Sequence, residues 1–228
     1  MVNDYVVIDL ETSGLRPKHD KIIEIGAIKV KNNEIVEMYQ TFINPAIDIK
    51  DKTTQITSIE QEDLEHAPYM EEVIHEFTRF LEDLPLVGHN VMFDYSFLKR
   101  EALMYNIEFE KNGIDTLKIA REKYSQLPSK RLGDMCKHFN IEINAHRALS
   151  DAMATHELLQ IYMKDGIDVI PRELNIKIKK ESPITNRQME LLSTLVKRYN
   201  IDIDYEIDRL TKSEASRQID YIYSNFGR

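Results

Sequence analysis

Three runs of β-branched and aromatic residues fill most of the first 43 positions: Tyr5-Val6-Val7-Ile8-Asp9, then Ile22-Ile23-Glu24-Ile25-Gly26-Ala27-Ile28-Lys29-Val30, then residues 36–43. The two breaks between them, residues 14–20 and 31–34, are rich in polar turn formers, so the pattern predicts an antiparallel meander of three strands. The period then changes. Met70, Val73, Ile74, Phe77, Phe80 and Leu81 recur at intervals of three and four, the stripe of an amphipathic helix running up to Pro85. Leu86-Val87-Gly88 reads as a short strand and residues 94–105 as a helix. Gly113-Ile114-Asp115 reads as a strand end before a helix reaching Tyr124. Leu149, Ala152, Met153, His156, Leu159, Gln160 and Met163 outline a long late helix. Strands first and helices interleaved later predict an α/β domain whose sheet mixes strand directions.

A change of character near residue 165 divides the chain. Residues 1–165 form the expected main domain, 166–183 a linker with Gly166, Pro171, Pro183 and an alternating Ile/Lys stretch, and 184–228 a small helical module. In that module Thr185 is the expected N-cap of one helix, with Met189, Leu192, Leu195, Val196 and Tyr199 as its stripe. Thr211-Lys212-Ser213-Glu214 has the form of a capping box opening a second. Gln188-Met189-Glu190-Leu191-Leu192 loosely resembles the clamp-binding pentapeptide of replication proteins. Its place inside a helical stripe would bury Leu192 and block extended docking.

Composition narrows the function classes. With 228 residues and 42% hydrophobic content the chain is expected to be soluble and globular rather than disordered. No run of about 18 apolar residues offers a membrane span, and the start lacks the shape of a signal peptide, so a cytoplasmic location is expected. A single cysteine, Cys136, excludes an internal disulfide and a thiolate zinc site. The formal net charge of -9 argues at first sight against a nucleic-acid partner. It is unevenly spread, however. Residues 172–228 carry 11 Lys+Arg against 9 Asp+Glu, and the first 171 carry 19 against 30.

Three acidic groupings could carry chemistry. Asp9 and Glu11 end the first strand, and residues two apart point to one face, so these carboxylates converge beside the Gly14 turn. Alone, such a pair is usually an exposed polar face. Asp94, in His89-Asn90-Val91-Met92-Phe93-Asp94, stands at a strand-to-helix transition, where a carboxylate caps a helix or faces a site. His146-Arg147-Ala148-Leu149-Ser150-Asp151 opens the late helix with an imidazole just ahead of an acid. His89 and His156 carry no comparable argument.

Together these residues, in this order, resemble the DEDDh 3'-5' exonuclease superfamily, most closely the proofreading exonucleases of bacterial DNA polymerase III, the epsilon subunit and the PolC-type domain. The segment from Val7 to Leu15 resembles the first exonuclease motif, Gly88 to Asp94 the second, and His146 to Ala152 the third. Ile22 to Ala27, Asp115-Thr116-Leu117 and Lys130-Arg131-Leu132 support the match, which covers roughly residues 3–164. Ser13 stands where a Thr is frequent and Ser58 where a Gly is frequent. The resemblance implies a ribonuclease-H-like mixed sheet flanked by helices.

Hydrolysis of a phosphodiester needs an activated water and a stabilised leaving oxygen, and two divalent ions about 3.5–4 Å apart supply both. Hard oxygen donors suit Mg²⁺ or Mn²⁺. By the resemblance Asp9 bridges two ions, Glu11 and Asp151 complete the nucleophile side, and Asp94 holds the leaving-group side. His146 is the implied general base. Thr12, Leu15 and Phe93 are the implied grip on the terminal nucleotide, with Asn90 ordering the second motif beside them. The expected substrate is the 3' end of single-stranded DNA, cut to nucleoside 5'-monophosphates in replication proofreading or repair. RNA ends are the nearest alternative, and a non-catalytic 3'-end-binding or polymerase-docking module is a third. A DNA polymerase or other replication protein is the expected partner, engaged in trans; no membrane partner is expected.

Overall fold

A computed structural model describes residues 2–178 and 182–227. Six strands form one sheet in the order β3-β2-β1-β4-β5-β6. β1 (Tyr5–Thr12), β2 (Ile22–Lys31) and β3 (Glu34–Phe42) make the expected antiparallel meander. β4 (Leu86–Gly88) and β5 (Asn112–Asp115) join parallel to β1, and β6 (Arg172–Glu173) closes the edge antiparallel to β5. The mixed directions match the fold class the strand and helix order predicts.

Alternation along β1 sets the layers. Val6, Ile8 and Leu10 face one core with α3 (Met70–Leu81) and α4 (Val91–Met104). Tyr5 and Val7 face the other core, where α7 (Ala148–Lys164) brings Ala152 and Leu159. With a period of two, Asp9 and Glu11 continue the Tyr5-Val7 side, toward α7. α7 lies unusually close to the sheet because β2 carries Gly26. A Cβ there would meet the backbone of Ala148 and Leu149 at 2.2 Å.

Three short helices have no sequence expectation: α1 (Asp51–Thr57), α2 (Gln61–Glu65) and α6 (Leu132–Phe139). α1 and α2 are under two turns, too short for a periodic stripe to register, whereas α6 packs Leu132, Met135, Cys136 and Phe139, spaced at three and four, into one core. Ser58 ends α1 with φ 56, a left-handed conformation that glycine adopts without strain. α5 (Thr116–Lys123) follows β5 directly.

In the stretch expected as a linker, residues 166–183, β6 pairs with β5, and Val169 and Leu174 are buried with the two main cores. Lys179 and Lys180, part of its alternating run, lie outside the described residues. α8 (Asn186–Tyr199) and α9 (Lys212–Phe226) enclose a core of their own, including Ile184, Leu192, Leu195, Ala215 and Ile222. Both predicted caps form: Thr185 accepts from the Gln188 N–H and Thr211 from the Glu214 N–H. Gln188 Nε2 also donates to the Lys212 carbonyl, and Leu192 is fully buried, so the pentapeptide is occupied within the module. Among the described residues no helix is long and apolar enough to cross a membrane.

Candidate active site

β1 outruns β4, and the site begins where it does. The Val6 N–H donates to Pro85 O, so alternate amides of β1 point toward β4. β4 stops at Gly88, and the Leu10 N–H, pointing the same way, meets Asp94 Oδ1 at 3.1 Å instead. The first turn of α4 thus delivers a buried carboxylate to the end of β1. From the opposite layer, the first turn of α7 delivers Asp151. Oxygens of Asp9, Glu11 and Asp151 lie within 4.8 Å of one another.

Glu24 fixes the helix that carries Asp151. Fully buried on β2, it accepts from Arg147 Nη2 (3.2 Å), the Ala148 N–H (3.2 Å) and Gln40 Nε2 (2.8 Å). A carboxylate at a helix N-terminus is doubly favoured, by the free N–H groups and by the dipole. Asp151 Oδ2 in turn accepts from the Arg147 N–H at 3.1 Å. Sequence reasoning passed over Glu24 as a site residue. The available signal is a charge inside an apolar strand, which has to find partners when buried.

The carboxylates repel one another in a poorly solvated place. Burial first, then Asp94, Asp151, Glu11 and Glu24, hold Asp9 well above the ordinary carboxylate range. Burial and then Asp151, Glu24 and Asp94 raise Glu11 to about 8. Asp94 is pushed to about 8, chiefly by burial, and burial also raises Asp151. An all-oxygen cluster whose negative charge is opposed by burial and by its own members fits a hard divalent cation, which would reverse the sign of the local field.

His146 is exposed, with φ 66, on the turn just before α7, and lines the same cavity as Asp151. Thr12, Leu15 and Phe93 border a different cavity of about 640 Å³, together with Leu10, Glu11 and Ile56. The Thr12 hydroxyl donates to Gly14 O (2.7 Å), Leu15 is 81% exposed, and Phe93 tilts against Phe97 at 5.0 Å. Asn90 stands apart from these three. Its backbone has φ 85, its N–H donates to Asp115 Oδ1 (3.1 Å), and it lines the His146 cavity. Asp115 also caps α5 through the Leu117 and Lys118 N–H groups, so it ties the second motif to the neighbouring helix.

A family model described as the RNase T exonuclease matches residues 6–159. The PolC-type DNA polymerase III of Caldanaerobacter subterraneus is 37% identical over 188 residues, 82% of this chain and 13% of the relative. That of Thermotoga maritima is 34% identical over 232 residues, 92% of this chain and 16% of the relative. Among solved structures, Exonuclease X in complex with 5'-overhanging duplex DNA is 25% identical with a TM-score of 0.58, covering 71% of this chain and 93% of that one. The nuclease domain of 3'hExo, a DEDDh family member bound to rAMP, has a TM-score of 0.63 at 18% identity, covering 77% and 98%. The Escherichia coli Exonuclease I complex with single-stranded DNA has a TM-score of 0.65 at 20% identity, covering 72% and 41%.

The family match and the fold place the chain among exonuclease domains. This chain belongs to the RNase T exonuclease family, and is related to part of the PolC-type DNA polymerase III. It spans roughly an eighth to a sixth of the length of the PolC-type relatives it matches.

Proposed function

We propose that this protein is a metal-dependent 3'-5' exonuclease that removes nucleoside 5'-monophosphates from single-stranded DNA ends, in proofreading or repair beside a DNA polymerase. The observation that carries the reading is the convergence of Asp9, Glu11 and Asp151 within 4.8 Å, with Asp94 on the adjoining Leu10 amide. The catalytic unit is residues 1–165, joined through 166–183 to a helical unit at 184–228.

Asp9, Glu11, Asp94 and Asp151 would hold two Mg²⁺ or Mn²⁺ ions. Such ions lower the pKa of water and stabilise the departing 3'-oxygen. His146 takes the proton of the attacking water on its unprotonated ring nitrogen, and its exposure lets it pass that proton to solvent. As the water oxygen bonds to phosphorus, the bond to the 3'-oxygen of the penultimate nucleotide breaks. The terminal nucleotide leaves carrying the phosphate. Leu15 and Phe93 offer apolar surface to its base without reading its edge, so the grip tolerates any sequence. Thr12 holds the turn beneath the sugar, and Asn90 orders the second motif.

The test is a 5'-labelled DNA strand and its RNA counterpart, each incubated with Mg²⁺, with Mn²⁺ and with a chelator. DNA shortening from the 3' end only in the presence of metal is expected. Faster RNA loss would exchange the substrate class, and no cleavage of either polymer would leave a non-catalytic end-binding module.

A further inference from the structure

Two cavities flank the carboxylates, and their walls differ in kind. The one holding Leu15, Ile56 and Phe93 exposes mostly apolar surface, although Lys50, Lys52 and the Asp20-paired Arg16 also line it. The other, about 830 Å³, is lined by Arg121, Lys130 and Arg131 together with Asp134, His146 and Asp151. An enzyme cutting the last phosphodiester of a strand must hold unlike things on its two sides. One side takes a single nucleoside and its base; the other takes the phosphates of the chain that remains. Resting on the exonuclease reading above, we infer that the Arg121–Arg131 cavity holds the backbone phosphates of the strand upstream of the scissile bond.

The two guanidiniums are available for that task. Among the described residues neither forms a hydrogen bond or an ion pair, whereas Arg16, Arg147 and Arg209 are each engaged by a named acid. An exposed guanidinium without an acid partner is a ready bidentate donor to a phosphate. The nearby acid, Asp134, accepts from Ser129 Oγ at 2.5 Å. Lys130 plays a different part: its Nζ closes the turn it sits on by donating to the Ser125 and Leu127 carbonyls.

His89 joins this wall to the catalytic layer. Its Nε2 lies 2.7 Å from Lys130 O, which can only accept, so Nε2 carries the proton. Its Nδ1 then accepts from Thr116 Oγ1 at 2.9 Å. The imidazole is mostly enclosed and burial lowers its pKa, consistent with a neutral ring. His89 follows β4 directly and precedes the turn into α4, which carries Asp94. It is a positioning residue that keeps Arg131 at a fixed remove from the reaction centre.

Two substrates separate this inference from the reading beneath it. The 4-nitrophenyl ester of thymidine 5'-monophosphate fills only the nucleoside side, while a labelled single-stranded oligodeoxynucleotide needs both. For the double variant Arg121→Gln/Arg131→Gln, KM for the strand should rise about tenfold or more, the scale of losing charge-assisted hydrogen bonds. The loss on the ester should be at least about tenfold smaller. The slope of log(kcat/KM) against log salt should flatten by about 0.7 for each phosphate contact removed. The Arg121→Lys/Arg131→Lys pair should restore that slope. Equal losses on both substrates, or an undiminished strand KM with an unchanged slope, would overturn the inference. A parent protein that hydrolyses neither substrate would instead remove the exonuclease reading.

Discussion

Glu11 releases its proton only near pH 8, because burial and then Asp151, Glu24 and Asp94 oppose its charge. In the unfolded chain it does so near its ordinary 4.5. Between those values the folded protein binds more protons than the unfolded one, so metal-free stability falls as pH rises through the window. Asp94, raised to about 8, acts in the same direction. Melting temperature in chelator should therefore decline from about pH 5 to about pH 8, and Glu11→Gln should flatten the decline. A flat or rising profile in the parent protein would contradict the electrostatics described here. His146 makes a separate prediction. On the proposed role, His146→Ala lowers kcat by about 10²–10⁴, yet Mn²⁺ should still raise the melting temperature as in the parent. Near-normal turnover at saturating metal would remove His146 from the proton transfer.

At the scale of elements, the site depends on how closely α7 lies on β2. Gly26 permits the approach and Glu24 fastens the helix start, both on one strand. Gly26→Ala would put a methyl group into backbone that has no flexible end to move, so α7 must lift. Overpacking of this kind costs about 1–3 kcal/mol, and because Asp151 travels with the helix, metal affinity should fall as well. Calorimetric titration with Mn²⁺ and a denaturant melt would check both. Unchanged metal affinity in a destabilised variant would mean that α7 relaxes elsewhere along its length. The meander and α3 were legible because their apolar periods are long and regular. α1 and α2 were not, since short polar helices are held by tertiary contacts such as the buried Thr53 and Thr57 rather than by a stripe of their own.

Across the whole molecule, the C-terminal helices are joined to the rest of the chain by charge and backbone pairing. Glu214, at the start of α9, lies 3.7 Å from Lys21 Nζ and 3.6 Å from Arg100 Nη2. Arg209 pairs with Glu71 and covers the Tyr69 ring at 3.8 Å, and the Glu206 N–H donates to Ala46 O. Burial pushes Glu214 upward, but Lys21, Thr211 and Arg100 outweigh it and hold the carboxyl below its ordinary value. Its contribution is thus present above about pH 4.5 and lost as the pH falls below. Glu214→Ala should cost about 2 kcal/mol at neutral pH, with the gap to the parent closing in acid. A gap independent of pH would assign the loss to packing alone. Lys21 is also hydrogen-bonded through its backbone to Ser13, so docking of the module bears on the turn beside the nucleoside cavity.

The amino-acid order by itself determined the α/β class, the meander and the capped C-terminal helices, because strand alternation and capping chemistry are local. Only the tertiary structure decided the rest. The Glu24 clasp on α7, the Leu10–Asp94 bond and the His89 tether join residues between 41 and 124 positions apart. The two cavities exist only because distant elements meet around the carboxylates. The net charge of -9 shows the same division. Its sign speaks against nucleic acid when summed along the chain, yet in three dimensions part of it is gathered into one oxygen cluster, while Arg121 and Arg131, without an acid partner among the described residues, line the cavity beside it.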